Sequence, residues 1–384
     1  MSDLDNLLAS REMILVAGSG GVGKTTIAAA LGIAAAARQK GRVLVLTVDP
    51  ARRLATALGL DEFGNAPVRI DPDAFAEAGV KVRGEVWVAM LDTKAGWDEL
   101  ITRQAPDPEV RDAVLANPLY ANITSRFVHS HEYLAMEQLH ELHARGDYDL
   151  VIVDTPPSRN ALSILDAPSR MVEFFGSRLL RWLTVPYRSR LFTVASKPFY
   201  QVADRVLGSR FLQDIADFFV LFQAMEKGFV RRAREVEALL VDPRTAFVIV
   251  TTLETAPSHE ARFLARSLLE RQMCLGAVIA NRVLPEELAG IEAADSAAGL
   301  LDQVSGPLAD AVAAVLDAPV KPVRSALTQI ASRFDDVALA AARESDRRSE
   351  LAALAPTLLT VPWLEGDIHD LAGLGRLAGH LRDA

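Results

Sequence analysis

Residues 13–38 read MILVAGSGGVGKTTIAAALGIAAAAR, and three kinds of local structure follow one another in that stretch. The apolar run 13–17 suits a buried strand, the glycine cluster a tight turn, and the alanine-rich remainder a helix. Glycines 20, 21 and 23 let the backbone turn sharply and aim its amide hydrogens inward, where anionic oxygens accept them beside the positive end of the helix. Gly18 fills the first glycine of the pattern GxxxxGK[ST], Lys24 its lysine and Thr25 its hydroxyl position. In that reading Gly20, Gly21, Val22, Gly23, Lys24, Thr25 and Thr26 hold the phosphates of ATP. Lys24 adds a point charge on the β and γ phosphates, and Thr25 offers its oxygen to Mg²⁺, an ion that prefers oxygen ligands. The plainer alternative is a structural glycine turn.

Outward from this loop, further runs rich in Val, Ile and Leu recur without strict alternation, as strands buried on both faces of a parallel sheet do. They are RVLVLTV 42–48, EVWVAML 85–91, DLVIVD 149–154, AFVIVTT 246–252, GAVIAN 276–281 and LLTVP 358–362. With helical stretches between them, the pattern predicts an α/β P-loop NTPase: a mostly parallel, twisted sheet flanked by helices, with an inserted helical subdomain. One domain over 1–384 is expected, its helical insertions at about 97–145 and 166–241. Residues 60–84 read as helical and irregular, and 290–356 as one or two amphipathic helices flanked by loops.

Two of the strands end in aspartate at the carboxyl edge of the sheet, where ligands of open parallel sheets sit. Asp49, in TVDP, is placed to hold the attacking water or a water on Mg²⁺, or else it initiates the turn before Pro50. Asp154, in VIVDTPP, follows four apolar residues and is expected to hold Mg²⁺ through water; helix capping is its alternative role. Thr25, Asp49 and Asp154 are thus the expected metal-side residues, and Asp49 with Lys24 the catalytic ones.

Composition narrows the classes. The net charge of −9 argues against a nucleic-acid ligand, which calls for an excess of Lys and Arg. The one cysteine, Cys274, excludes a disulfide and a CxxC metal pair within the chain. No run of about 18 uncharged apolar residues occurs, and the acidic first residues do not resemble an export signal. The expected location is the cytoplasm, with the inner-membrane surface as an alternative station.

At its motifs the sequence resembles the ArsA family of P-loop ATPases, which includes the arsenical pump-driving ATPase and the targeting factor for tail-anchored membrane proteins. GSGGVGKTT is similar to that family's KGGVGKTT loop, TVDPARRL to its switch I, and VDTPPSRNALSILDAP to its switch II. FVIVTTLETAPSHEARFL, VIANRVLPEE and VPWLEGDIHDLAGL follow in the family's order, and HEYLAMEQLHEL points to a bacterial branch. The resemblance implies that Asp49 activates water, that Asn281 hydrogen-bonds adenine, and that Val361, Pro362 and Trp363 lie near the base. It also implies a nucleotide-dependent dimer, either a homodimer or a heterodimer with a paralogous ATPase, coupled to a hydrophobic client or membrane protein. Ser19 departs from the pattern, because the family carries there a lysine that reaches across the dimer. Arg159 is the candidate cation to replace it, with a plain surface charge as the alternative. Cys274 alone forms neither the family's thiolate metalloid site nor its zinc clasp.

Other features carry two readings each. The helices of 166–241 either pack as core or line a groove for an apolar client. His129, His131, His140 and His143 fit a solvated helix better than a metal site. Arg178, Arg181, Arg188 and Arg190, interleaved with Phe174, Phe175, Trp182 and Tyr187, suit a membrane surface or a partner as well as core helices with exposed arginines. Glu254 and Glu260 either communicate with nucleotide or cap a helix. Besides the switch, two functions stay open: a positioning ATPase of the MinD or ParA kind, and an anion pump-driving subunit.

Overall fold

The computed structural model describes residues 2–39, 41–48, 54, 58, 66–91, 93–117, 120, 130–155, 163–176, 218–305, 307–364 and 366–383. Along the chain run α1 (Asp3–Ser10), β1 (Met13–Ala17), α2 (Lys24–Arg38), β2 (Arg42–Thr47), β3 (Val68–Arg69), α3 (Pro72–Glu77) and β4 (Glu85–Met90). Next come α4 (Thr93–Gln104), α5 (Pro108–Leu115), α6 (Ser130–Arg145), β5 (Leu150–Asp154), α7 (Ser163–Gly176) and α8 (Glu226–Leu240). The last part holds β6 (Thr245–Thr251), α9 (Thr255–Glu270), β7 (Leu275–Val283), α10 (Ile291–Ser305), α11 (Pro307–Leu316), α12 (Val320–Ala352), β8 (Leu358–Pro362) and α13 (Leu371–Asp383).

The strands form an eight-stranded sheet in the order β3-β4-β2-β5-β1-β6-β7-β8. Every pairing is parallel except that of β3 with β4. The fold is therefore α/β with a mostly parallel sheet flanked by helices, as the run of apolar strands predicts. β3 is an addition: two exposed residues leave no periodicity to read.

Why the sheet is covered on both faces follows from its period of two. Ile14 and Val16 of β1, Val43 and Val45 of β2 and Ile152 of β5 turn to one face, where they meet α1, α2 and α13. Their neighbours Met13, Leu15, Leu44, Leu46, Val151 and Val153 turn to the other, under α6, α8 and α9. The alanines of α2 (Ala28, Ala29, Ala30, Ala34, Ala35 and Ala36) are almost wholly buried, so the helix that carries the loop's lysine lies close on its sheet.

Beyond the second face lies a further apolar layer from α4, α6, α7, α8 and residues 218–225. Its centre is aromatic: Phe175 stacks on Phe222 at 5.3 Å and on Phe229 at 5.4 Å, and Trp97 stacks on Tyr133 at 6.2 Å. Phe174 and Phe175 thus pack as core; Arg178, Arg181, Trp182, Tyr187, Arg188 and Arg190 lie outside the described residues. Inside this layer Glu137, 2% exposed, takes a hydrogen bond from the Tyr133 hydroxyl at 2.6 Å and pairs with Arg232 at 3.1 Å. Burial, reinforced by the Glu137 charge, holds the Tyr133 phenol well above its usual pKa, so it stays a donor.

Two expectations change. The 290–356 stretch is a three-helix arm, α10, α11 and the 33-residue α12, rather than one or two helices. Alanines on α12 (Ala331, Ala338 and Ala341) are buried against its neighbours, a seam whose small side chains give a weak hydrophobic signal. The described histidines of α6 are half-buried rather than solvated: His143 Nε2 lies 2.9 Å from Glu12 Oε2 and His140 Nε2, its pKa lowered by burial, 3.7 Å from Glu235 Oε2. His129 lies outside the described residues, as does the side chain of His131.

The buried pair is testable. Arg232→Met strands the Glu137 charge and is expected to remove about 3–5 kcal/mol of stability. Adding Glu137→Gln, which still accepts from Tyr133, is expected to recover most of that loss. Denaturant unfolding measures both, and a single variant as stable as the wild type would contradict the pairing.

Candidate functional site

The site forms where β1 gives way to α2. Gly18, Gly21 and Gly23 adopt φ of +148°, +82° and +96°, conformations that side-chain-bearing residues rarely take. A Cβ on Gly18 would stand 2.1 Å from the Val250 carbonyl oxygen, and one on Gly23 would stand 2.5 Å from Asn281 Nδ2. The loop is therefore wedged against the ends of β6 and β7, and glycine is what lets it fit. Val22 is buried beneath it, while Gly20 and Gly21 are exposed at its crest.

Lys24, only 6% exposed, donates from Nζ to the Ser19 carbonyl oxygen at 2.9 Å, so its ammonium folds back over the loop it belongs to. Asp154 ends β5, in register with Val16 of β1 and Thr47 of β2. That register brings two hydroxyls to one carboxylate: Thr25 Oγ1 donates to Asp154 Oδ2 at 2.6 Å and Thr47 Oγ1 to the same oxygen at 2.9 Å. The structure thus joins Lys24, Thr25 and Asp154 at the end of α2. Thr47 is a member that the sequence left unremarked; its signal was its place at the end of a strand beside the one that ends in Asp154.

A cavity of about 830 Å³ opens next to the loop. Its lining includes Gly23, Thr25 and Thr26 of the loop and α2, together with Asn281, Arg282, Pro362, Trp363 and His369. Asn281 donates from Nδ2 to the Val22 carbonyl oxygen at 2.8 Å and accepts at Oδ1 from the Arg282 amide at 3.0 Å. Arg282 itself sits at φ +59°, and Trp363 is 65% exposed at the cavity. Arg282 and His369 fall within the segments VIANRVLPEE and VPWLEGDIHDLAGL, but neither is marked there as a site residue.

The donor chemistry fits magnesium and a triphosphate. Hydroxyl and carboxylate oxygens converge at Thr25 and Asp154, without a sulfur or imidazole, the hard oxygen set that Mg²⁺ takes. At the crest of the loop the space beside Gly21 is open, with nothing within 4 Å of a Cβ placed there. Asp49, Pro50 and Arg159 lie outside the described residues; Val48, just ahead of Asp49, donates its amide to the Asp154 carbonyl at 3.1 Å. Glu254 starts α9 without a side-chain cap, and Glu260 is exposed on that helix.

A family model described as Anion-transporting ATPase matches residues 11–297. An uncharacterized protein of Streptomyces coelicolor is 29% identical over 298 residues, covering 77% of this chain and 66% of that protein. A protein of Aquifex aeolicus named for an arsenical pump-driving ATPase is 25% identical over 290 residues, covering 72% and 64%. The ATPase GET3 of Malassezia globosa is 24% identical over 284 residues, covering 73% and 76%. The chain spans just under two thirds of the length of the first two.

The wedge predicts a ranking of glycine variants. Gly18→Ala meets both strain and the backbone of β6, whereas Gly21→Ala, with nothing within 4 Å, meets strain alone. The first is expected to cost more than the roughly 1–3 kcal/mol of backbone strain expected for the second. Thermal unfolding of the two variants compares them, and equal losses would remove β6 as the constraint.

Proposed function

The chain belongs to the anion-transporting ATPase family, and on that premise we propose that it binds MgATP between Lys24 and Asp154 and hydrolyses it to ADP and phosphate. The observation that carries this reading is the convergence of Thr25 and Thr47 on Asp154, in front of the lysine-bearing loop and beside a cavity of nucleotide size.

The chain's own groups divide the work. Amides of Gly20, Gly21, Val22 and Gly23, with the hydroxyl-bearing Thr25 and Thr26, receive the phosphates at the helix N-terminus. Lys24 exchanges the Ser19 carbonyl for the β and γ phosphates, which a flexible four-carbon stem allows. Thr25 and Asp154 would hold Mg²⁺, which, when bound, would supply neutralising charge to the phosphates. Asp49 orients the attacking water and accepts its proton. Asn281 and Pro362 lie at the base end, a reading supported by their shared position on the cavity wall.

Hydrolysis is proposed to drive a nucleotide-dependent dimeric switch, in a homodimer or with a paralogous ATPase, coupled to a hydrophobic client or membrane partner. Support comes from the packing: α6 supplies Met136 and Leu139 to the sheet face and Tyr133 and Leu134 to the aromatic layer, so a shift at the sheet moves that layer. Among the described residues, no helix is long and apolar enough to cross a membrane.

Asp49→Asn is expected to lower phosphate release by about 10²-fold or more while leaving MgATP binding intact. Turnover assays with equilibrium titration separate the two effects. In sedimentation, this variant with MgATP is expected to run as the larger species. Turnover at the wild-type rate would remove Asp49 from its role, and sedimentation unchanged by nucleotide would remove the dimeric switch.

A further inference from the structure

We infer that Glu344 and Arg347, on α12, are positioning residues for the base end of the nucleotide site. The inference rests on the reading that the cavity takes MgATP. Neither residue lies within the family match, which ends at residue 297.

The last turns of α12 do not simply rest on the sheet. Glu344 Oε2 accepts the Leu284 amide at 3.0 Å, in the loop that follows β7. Arg347 donates from Nη1 to the Leu253 carbonyl at 2.7 Å and from Nη2 to Thr255 Oγ1 at 2.9 Å, in the loop that follows β6. Arg348 pairs with Glu286, and Leu351, fully buried, anchors the helix in the core of the sheet. One helix therefore holds both loops that leave the sheet beside the phosphate turn.

Each loop bears directly on that turn. The end of β7, which runs into the first of these loops, carries Asn281, whose amide reaches the Val22 carbonyl, and then Arg282 at φ +59°. A non-glycine residue in that conformation persists only where its surroundings over-determine it. Here the clamps are the Trp363 amide on the Val283 carbonyl at 3.0 Å and Glu344 on the Leu284 amide. Removing Glu344 leaves the Trp363 amide and the Asn281 side chain to hold the strained segment, so the loss falls on the residues next to Asn281. The strand before the other loop carries the Val250 carbonyl, against which Gly18 is wedged, and Arg347 holds its continuation at Leu253. A mere fastening of the arm would need only the apolar seam and Leu351; the paired polar bonds act on the nucleotide loops.

The experiment compares KM and kcat for ATP, and MgATP affinity by calorimetry, in Glu344→Ala, Glu344→Gln, Asn281→Ala and the Glu344→Ala/Asn281→Ala double variant of the full chain. Glu344→Ala is expected to raise KM and Kd about tenfold, the effect of one lost hydrogen bond to a charged group, with kcat changed less than about twofold. Glu344→Gln keeps an acceptor for Leu284 and is expected to restore KM. The double variant is expected to be no worse than Asn281→Ala, because both act through one group. Arg347→Lys, which exchanges the two-acceptor fork for a single ammonium, is expected to raise KM through the other loop and serves if the alanine variant folds poorly. A folded Glu344→Ala with wild-type KM, or additive effects in the double variant, overturns the inference while MgATP still binds the wild type. Wild-type protein that takes up no MgATP overturns the nucleotide reading itself.

Discussion

A buried carboxylate held by two hydroxyls fixes the geometry of this molecule. Asp154 is 1% exposed, and a charge so far from water costs several kcal/mol unless neighbouring groups satisfy it. Thr25 comes to it from the first turn of α2 and Thr47 from the end of β2, so three segments distant in sequence meet at one oxygen. That meeting is possible only in the observed register, with Asp154 opposite both Val16 and Thr47. A slip of one residue would turn every side chain of β5 to the other face and send the carboxylate away from the loop. The register of the sheet and the geometry of the site are the same constraint.

The alternation that sets the register also builds the layers above it. Residues of one parity along β1, β2 and β5 pack under α2, while those of the other parity pack under α6, α8 and α9. Because α6 is apolar on two sides, the sheet and the aromatic layer are joined by one rigid element rather than by a loop. Close-packed interiors deform little within themselves, so a change at the sheet edge, where one occurs, would be expected to pass outward through whole helices.

Most of this architecture was legible because its signals are strong. Buried parallel strands are continuous apolar runs, and each run read from the sequence coincides with a strand of the sheet. The glycine, lysine and threonine positions of the loop were legible because each answers to a distinct physical need. What escaped has equally physical reasons. β3 is too short to carry a period, and the helices of the arm meet through alanines, whose burial contributes little apolar contrast. Thr47 became a site residue through strand neighbours that only the sheet order reveals. The same holds for Arg282, whose φ of +59° arises at the end of β7 and is not announced by its residue type.

Ser19 illustrates how backbone and side chain separate at one position. Its carbonyl receives the Lys24 ammonium, a role any residue could fill, whereas its hydroxyl, buried, has no hydrogen-bond partner among the described residues. The loop's own geometry therefore places no demand for a cation there, and serine satisfies it. Charge compensation is a different demand, made by the triphosphate rather than by the fold, and a short neutral side chain cannot meet it. Within the described loop that demand falls on Lys24, aided by the helix N-terminus and by the ion that Thr25 and Asp154 are suited to hold. A loop so arranged is suited to receive phosphates on its own residues, and a positive charge brought from outside it would be expected to speed phosphate transfer.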